Sequence, residues 1–194
     1  MPNNVNKKTA LLKKKAYIKA SAKYFEKYGY EEANMTKLAK ELGVSVGTLY
    51  KIFENKENLF FEYILYQIDY FSDILIKKQT DNSIDNLKLY LKYKYKYFTT
   101  NKKSIELSLG HEPFFFHKLN KHKQHPMKKI FNFLAIQFKD ILKNDEIDYN
   151  HIAILFKKVS DGYIESHKMK EFDTTNAIDN TINLFLNGIL SANK

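Results

Sequence analysis

Apolar residues return along this chain with a period near 3.6, and each periodic stretch is closed by a glycine, an asparagine or a polar run. From Thr9 to Tyr28, Tyr17, Ala20, Tyr24 and Tyr28 make one stripe, with Ile18, Ser21 and Phe25 beside it. This pattern predicts a helix stopped by Gly29. The preceding MPNNVNKK reads as a frayed arm. Met35, Leu38, Ala39 and Leu42 predict a short helix capped by Asn34 and ended by Gly43. Ser45 then caps a second short helix, Val46 to Phe53, with Leu49, Ile52 and Phe53 inward. Asn55 opens a long helix from Lys56 to about Lys78.

KYKYKY alternates as a strand would, but over Ile84 to Phe98 the residues Leu87, Leu91, Tyr95 and Phe98 form one helical stripe. Tyr90, Tyr93 and Tyr97 form the next, so a helix is expected. Further helices are expected at 102–109, somewhere within 114–143 with an interruption near Pro126, at 148–170 and at 174–192. The fold class is therefore all-α, with about nine helices and no strand. Residues 1–55 read as a compact three-helix domain and residues 56–194 as a larger helical domain richer in aromatics.

Two glycines within five residues, Gly43 and Gly47, are an expensive choice for a helical segment. Two short helices joined by a glycine-centred turn and braced by a longer helix have the layout of a helix-turn-helix, here about residues 34–53. Gly43 supplies the turn, Val44 fills the angle and Ser45 leaves a polar, positive helix N-terminus where a phosphate can dock. Ser45, Gly47, Thr48 and Lys51 fall on the outer face, with Val46 and Tyr50 at its edges. That face is low at its centre and polar at its rim, as a helix entering the major groove requires.

Charge supports this reading. Net charge is +10, and residues 1–60 hold twelve lysines against six acids. A basic N-terminal third suits a polyanionic partner. All 32 basic residues are lysine, so no guanidinium fork is available to read guanine. Seven lysines, Lys7 to Lys23, precede the first acid, Glu26. Two readings stand for them: a solvated face, or an arm reaching the minor groove. The absence of cysteine excludes disulfides, thiolate catalysis and Cys-zinc sites, and fits a cytoplasmic location. The sequence shows no signal peptide, and no stretch is apolar enough to predict a membrane span or membrane partner.

Residues 16–61 strongly resemble the N-terminal domain of the TetR family of bacterial transcriptional regulators. The matching elements include Phe25, Gly29-Tyr30, Leu38-Ala39, Gly43-Val44-Ser45, Gly47-Thr48-Leu49-Tyr50, Phe53 and Lys56-Glu57 before Leu59. The resemblance implies a dimeric all-α regulator with an N-terminal DNA-binding domain and a C-terminal domain for ligand binding and dimerisation. It implies that Asn34, Thr36 and Lys37 hold a phosphate, and that Ser45, Val46, Gly47 and Thr48 face base edges. Tyr50 would donate to a phosphate, Lys51 would reach a phosphate or base, and Lys56 would clamp the DNA backbone. Plainer readings stand beside these: Tyr50 as a packing residue, Lys37 and Lys51 as solvated charges. Asn34 stands where relatives usually have threonine, and Lys51 where His or an aromatic is frequent, so base preference does not transfer.

The expected function is a sequence-specific DNA-binding regulator, most simply a repressor released by an apolar or aromatic small molecule. The expected partners are a palindromic, AT-rich operator and a second copy of the chain, whose interface would include Gly162 and Gly188. Tyr66, Tyr70, Tyr93, Tyr97 and His117 are the candidate effector-pocket residues, with core filling as the plainer role. His111, His117, His122 and His125 lack a nearby carboxylate cluster, so no metal and no cofactor are expected. No catalytic constellation stands out, and an enzyme is not expected. One alternative is a ligand-independent DNA-binding protein of the same fold. A more distant one is a helical ligand-binding or catalytic protein with a vestigial helix-turn-helix.

Overall fold

A computed structural model describes residues 2–100, 126–169 and 176–192. These residues form eight α-helices and no strand. The helices are α1 (Pro2–Tyr28), α2 (Met35–Glu41), α3 (Val46–Phe53), α4 (Lys56–Lys78), α5 (Ser83–Thr100), α6 (Lys128–Leu142), α7 (Tyr149–Met169) and α8 (Ala177–Ala192). The helix expected at 102–109 and the start of the one expected from 114 lie outside the described residues. The described residues fall into two compact units, one containing residues 2–69 and the other residues 70–100 and 126–192.

In the first unit, α1 begins earlier than its apolar stripe predicts. The expected arm is helical from Pro2. Proline is well placed at a first helical position, since its missing N–H is an orphan there and its φ is already helical. At the other end Gly29 takes φ 73 and donates its N–H to the Phe25 carbonyl at 2.8 Å, closing α1 where the sequence places the stop. Phe25, Leu38, Leu49, Leu59 and Tyr63 are wholly or almost wholly buried and tie α1 to α4 into one core. Phe25 meets Phe60 edge-on at 5.0 Å between ring centroids, and Tyr30 lies 4.9 Å from Phe60. Such pairs add specific geometry to the area they bury.

The second unit is built on α5, α6, α7 and α8, with α6 and α7 the most closely paired. KYKYKY lies within α5, as the wider stripe predicts. Leu87, Tyr90 and Leu91 are buried, and Phe138, Phe156 and Phe185 form an aromatic triad with centroids 5.0–5.5 Å apart. Lys143 ends α6 in the left-handed region at φ 49. Asp148 caps α7, its Oδ1 accepting from the N–H groups of Asn150 and His151. Among the described residues no helix is long and apolar enough to cross a membrane.

Candidate nucleic-acid interface

The site is made by α2, α3 and the turn between them. Asn34 lies in extended conformation, and its Oδ1 accepts from the N–H groups of Thr36 at 2.9 Å and Lys37 at 3.1 Å. Asn therefore satisfies two of the orphan donors at the start of α2. Met35, Leu38 and Ala39 are buried, which leaves Thr36 and Lys37 exposed on the opposite side. Gly43 then turns the chain at φ 66, a conformation that is strained for any residue with a Cβ. Val44 donates to the Ala39 carbonyl at 3.0 Å and packs half-buried against the core.

Ser45 caps α3. Its Oγ accepts from the Thr48 N–H at 3.2 Å and lies 2.9 Å from Thr48 Oγ1, so the two hydroxyls share a hydrogen bond at the helix start. Leu49 and Phe53 anchor the inner side at 0% and 2% exposure. The outer side carries exposed Ser45, Gly47, Tyr50 and Lys51, with Val46 and Thr48 half-buried. Tyr50 is 47% exposed, so about half of the residue stands in solvent. A Cβ added at Gly47 would meet only Ser45 Oγ at 3.9 Å. Nothing inside the protein therefore demands glycine at that point of the helix, and the low surface it leaves faces outward.

Lys56 is placed differently from the other candidates. Its Nζ donates to the carbonyls of Tyr30 at 3.0 Å and Glu31 at 3.4 Å and lies 4.3 Å from the Tyr30 ring centroid. It braces the connection between α1 and α2 from the first turn of α4. Asn55 Oδ1 caps α4 through the Asn58 N–H at 2.7 Å, as its sequence position predicts.

The candidate effector residues are not gathered in the same way. Tyr66 is half-buried against the core of the first unit. In the second unit Tyr70 is 55% exposed, while Tyr93 and Tyr97 are half-buried on α5. His117 lies outside the described residues, as do His111, His122 and His125. A cavity of about 430 Å³ opens in the second unit between Lys78, Asn86, Leu89, Lys92 and Asp179, and none of the four tyrosines lines it. Gly162 and Gly188 are exposed on α7 and α8, and a Cβ at either would meet nothing within 4 Å. Among the described residues no three potential metal ligands cluster.

Periodicity alone missed one group in the second unit. Lys94 is 6% exposed, and its Nζ pairs with Asp161 Oδ1 at 2.6 Å and donates to Ser160 Oγ and to the Lys157 carbonyl. Lys157 closes the cluster on Asp161 Oδ2 at 2.6 Å. Burial lowers the Lys94 ammonium to about 8, against the pull of Asp161. Burial alone would raise the Asp161 carboxyl, but Lys94 and Lys157 outweigh it and hold the group below the usual carboxylate range. The signal was present in the chain: Lys94 stands seven residues after Leu87 and three after Leu91, on the stripe that faces the core.

Comparison with known proteins agrees with this geometry. The pattern described as "Bacterial regulatory proteins, tetR family" matches residues 18–63. An HTH-type transcriptional regulator of Staphylococcus aureus (strain USA300) is 27% identical over 130 residues, covering 66% of this chain and 65% of that protein. The match thus spans slightly less than two thirds of that curated relative's length. FadR from Bacillus subtilis, crystallised with stearoyl-CoA, is similar in fold at TM-score 0.67 and 18% identity, covering 87% of this chain and 95% of that chain. AibR, crystallised with isovaleryl coenzyme A and operator DNA, is similar at TM-score 0.55 and 18% identity, covering 88% of this chain and 96% of that chain. Residues 18–63 thus carry a helix-turn-helix domain of the type found in the tetR family of bacterial regulatory proteins, and the chain shares the all-α fold of these solved regulators.

Proposed function

We propose that the protein is a dimeric, sequence-specific DNA-binding regulator and acts as a repressor. The observation that carries the proposal is the outer face of α3, where a glycine with no internal steric reason lies among exposed Ser45, Tyr50 and Lys51. Two copies of α3 would enter successive major grooves about 34–36 Å apart on an imperfect palindrome. Val46, Gly47 and Thr48 would meet base edges. Tyr50, Lys51 and the Thr36–Lys37 start of α2 would meet phosphates. With no arginine in the chain, discrimination would lean on these short contacts and on deformable AT-rich DNA. Residues 56–194 would form the ligand-binding and dimerisation domain.

A small molecule with an apolar or aromatic part would release the DNA by favouring a dimer with the wrong spacing of recognition helices. Coupling of about 1–3 kcal/mol is typical, and strong induction needs more. Acyl-coenzyme A thioesters are the first class to test, because FadR and AibR were crystallised with such molecules. The deciding experiment is selection of duplexes from a random pool by the full chain, followed by gel shift with and without acyl-coenzyme A. A palindrome bound in a salt-sensitive way and released by ligand is the expected outcome. Selection of no sequence would sink the DNA reading, and release by no ligand would favour a regulator controlled by a partner or by abundance.

A further inference from the structure

Helix α1 is longer than its packing requires. It meets the core at Tyr17 and Ile18, and from Asn6 to Ala16, at about 1.5 Å per residue, roughly 16 Å of helix contribute no residue to it. Residues 6 to 13 are exposed without exception. This segment is also of one sign, since Lys7, Lys8, Lys13, Lys14 and Lys15 come before any acid in the chain. Lys8, Lys15, Lys19 and Lys23 recur at spacings of seven and four and share one exposed side of the helix. Like charges four residues apart, as at Lys15, Lys19 and Lys23, destabilise a helix standing alone. A polyanion lying alongside would remove that repulsion.

The segment is anchored beside the candidate DNA interface. Lys14 Nζ pairs with Glu62 Oε1 of α4 at 2.6 Å and lies 5.8 Å from the ring centroid of Phe53, the last residue of α3. The exposed basic stretch therefore begins where the recognition helix ends.

We infer that this N-terminal extension of α1 lies against DNA phosphates flanking the half-site, adding affinity that carries no sequence information. The inference rests on the DNA-binding reading of α3 and extends it outward along the duplex. Lys8 and Lys15 supply charge on the shared side of a rigid helical rail, and Lys7 and Lys13 add to it from the other sides of the helix. Each phosphate they neutralise releases condensed counterions, so the contribution is read in the salt dependence of binding.

The test uses the full chain and the palindrome obtained by selection, prepared once with a full helical turn of flanking duplex on each side and once trimmed to the half-sites. A K7Q/K8Q/K13Q/K15Q variant should bind the flanked duplex with a shallower plot of log affinity against log salt, by about 0.9 for each phosphate no longer neutralised. Its base preference should be unchanged, and on the trimmed duplex it should match the wild type. Deletion of residues 2–12, which removes Lys7 and Lys8 and leaves Lys13 and Lys15, should give part of the effect, with thermal unfolding of both variants as the check on folding. An unchanged slope on the flanked duplex, with selective binding intact, overturns the inference and leaves the α3 reading standing. Loss of binding to phosphatidylserine vesicles with no change in the DNA slope also overturns it and assigns the stretch to a membrane surface. If the wild type selects no palindrome, the α3 reading fails and takes this inference with it.

Discussion

Gly47 separates what the fold needs from what a partner needs. Gly43 has φ 66 and must turn the chain, whereas Gly47 has ordinary helical space around it. Gly47→Ala and Gly47→Leu should therefore fold and gain up to about 1 kcal/mol from better helix propensity. Gly47→Leu should nevertheless weaken operator binding at least about tenfold, which corresponds to about 1.4 kcal/mol of binding free energy. Unfolding midpoints together with anisotropy titrations check both halves, and wild-type affinity in Gly47→Leu would show that this face meets no DNA. Tyr50→Phe is the complementary change, because it removes one hydroxyl from a ring 47% exposed. Stability should stay within about 0.5 kcal/mol, as for surface changes generally. Operator affinity should fall, and an unchanged affinity would leave Tyr50 without its phosphate.

At the scale of elements, legibility followed the number of agreeing signals. Around α2 and α3, periodicity, caps and turn glycine all pointed one way, so Asn34, Gly43 and Ser45 could be placed from the chain alone. In α5 two periods competed, and the wider stripe prevailed over the local alternation of KYKYKY. Lys94 was illegible because a hydrophobic pattern assigns a lysine to the surface, while its burial depends on an Asp161 sixty-seven residues away in sequence. The start of α1 was misread for a related reason: Asn6 to Lys8 are polar and exposed, and apolar periodicity has nothing to register there. The Lys94–Asp161 pair makes its own prediction. Asp161→Ala leaves a buried ammonium without its carboxylate and should cost about 3–5 kcal/mol, whereas Lys94→Met, an apolar chain of similar length, should cost less. The native pKa of Lys94, about 8, lies below its ordinary 10.5. The folded state therefore releases that proton first, and between those pH values stability should rise with pH. Tyr95 works in the opposite direction. Burial pushes it up to about 12, so its contribution is present below its ordinary 10 and is lost as pH climbs through 12. Denaturant midpoints from pH 7 to 10 should therefore climb for wild type relative to Lys94→Met, and parallel curves would show that Lys94 does not titrate there.

For the whole molecule, the short recognition helix sets a limit. One α3 of eight residues, with no arginine anywhere in the chain, offers few base contacts, so a single copy would bind weakly. Two copies held at a fixed separation convert the second contact into an intramolecular one and gain about 10²–10⁴-fold without any new interaction type. The second unit offers a surface for that pairing. Ile154 and Leu155 on α7 are 41% and 42% exposed, Leu184 on α8 is 63% exposed, and Gly162 and Gly188 leave room on the same two helices for close approach. A charge placed there should separate the copies without disturbing either core, because Leu155 and Leu184 are exposed while the neighbouring Phe156 and Phe185 are buried. L155E/L184E should therefore retain its helix content while its mass by light scattering falls to that of one chain. Its operator affinity should drop by about 10² or more, and its dependence on salt should flatten because one bound chain neutralises fewer phosphates than a bound pair. A variant that stays dimeric would move the interface elsewhere. A monomer that keeps wild-type affinity would remove bivalency from the account and place the whole burden of recognition on a single α3.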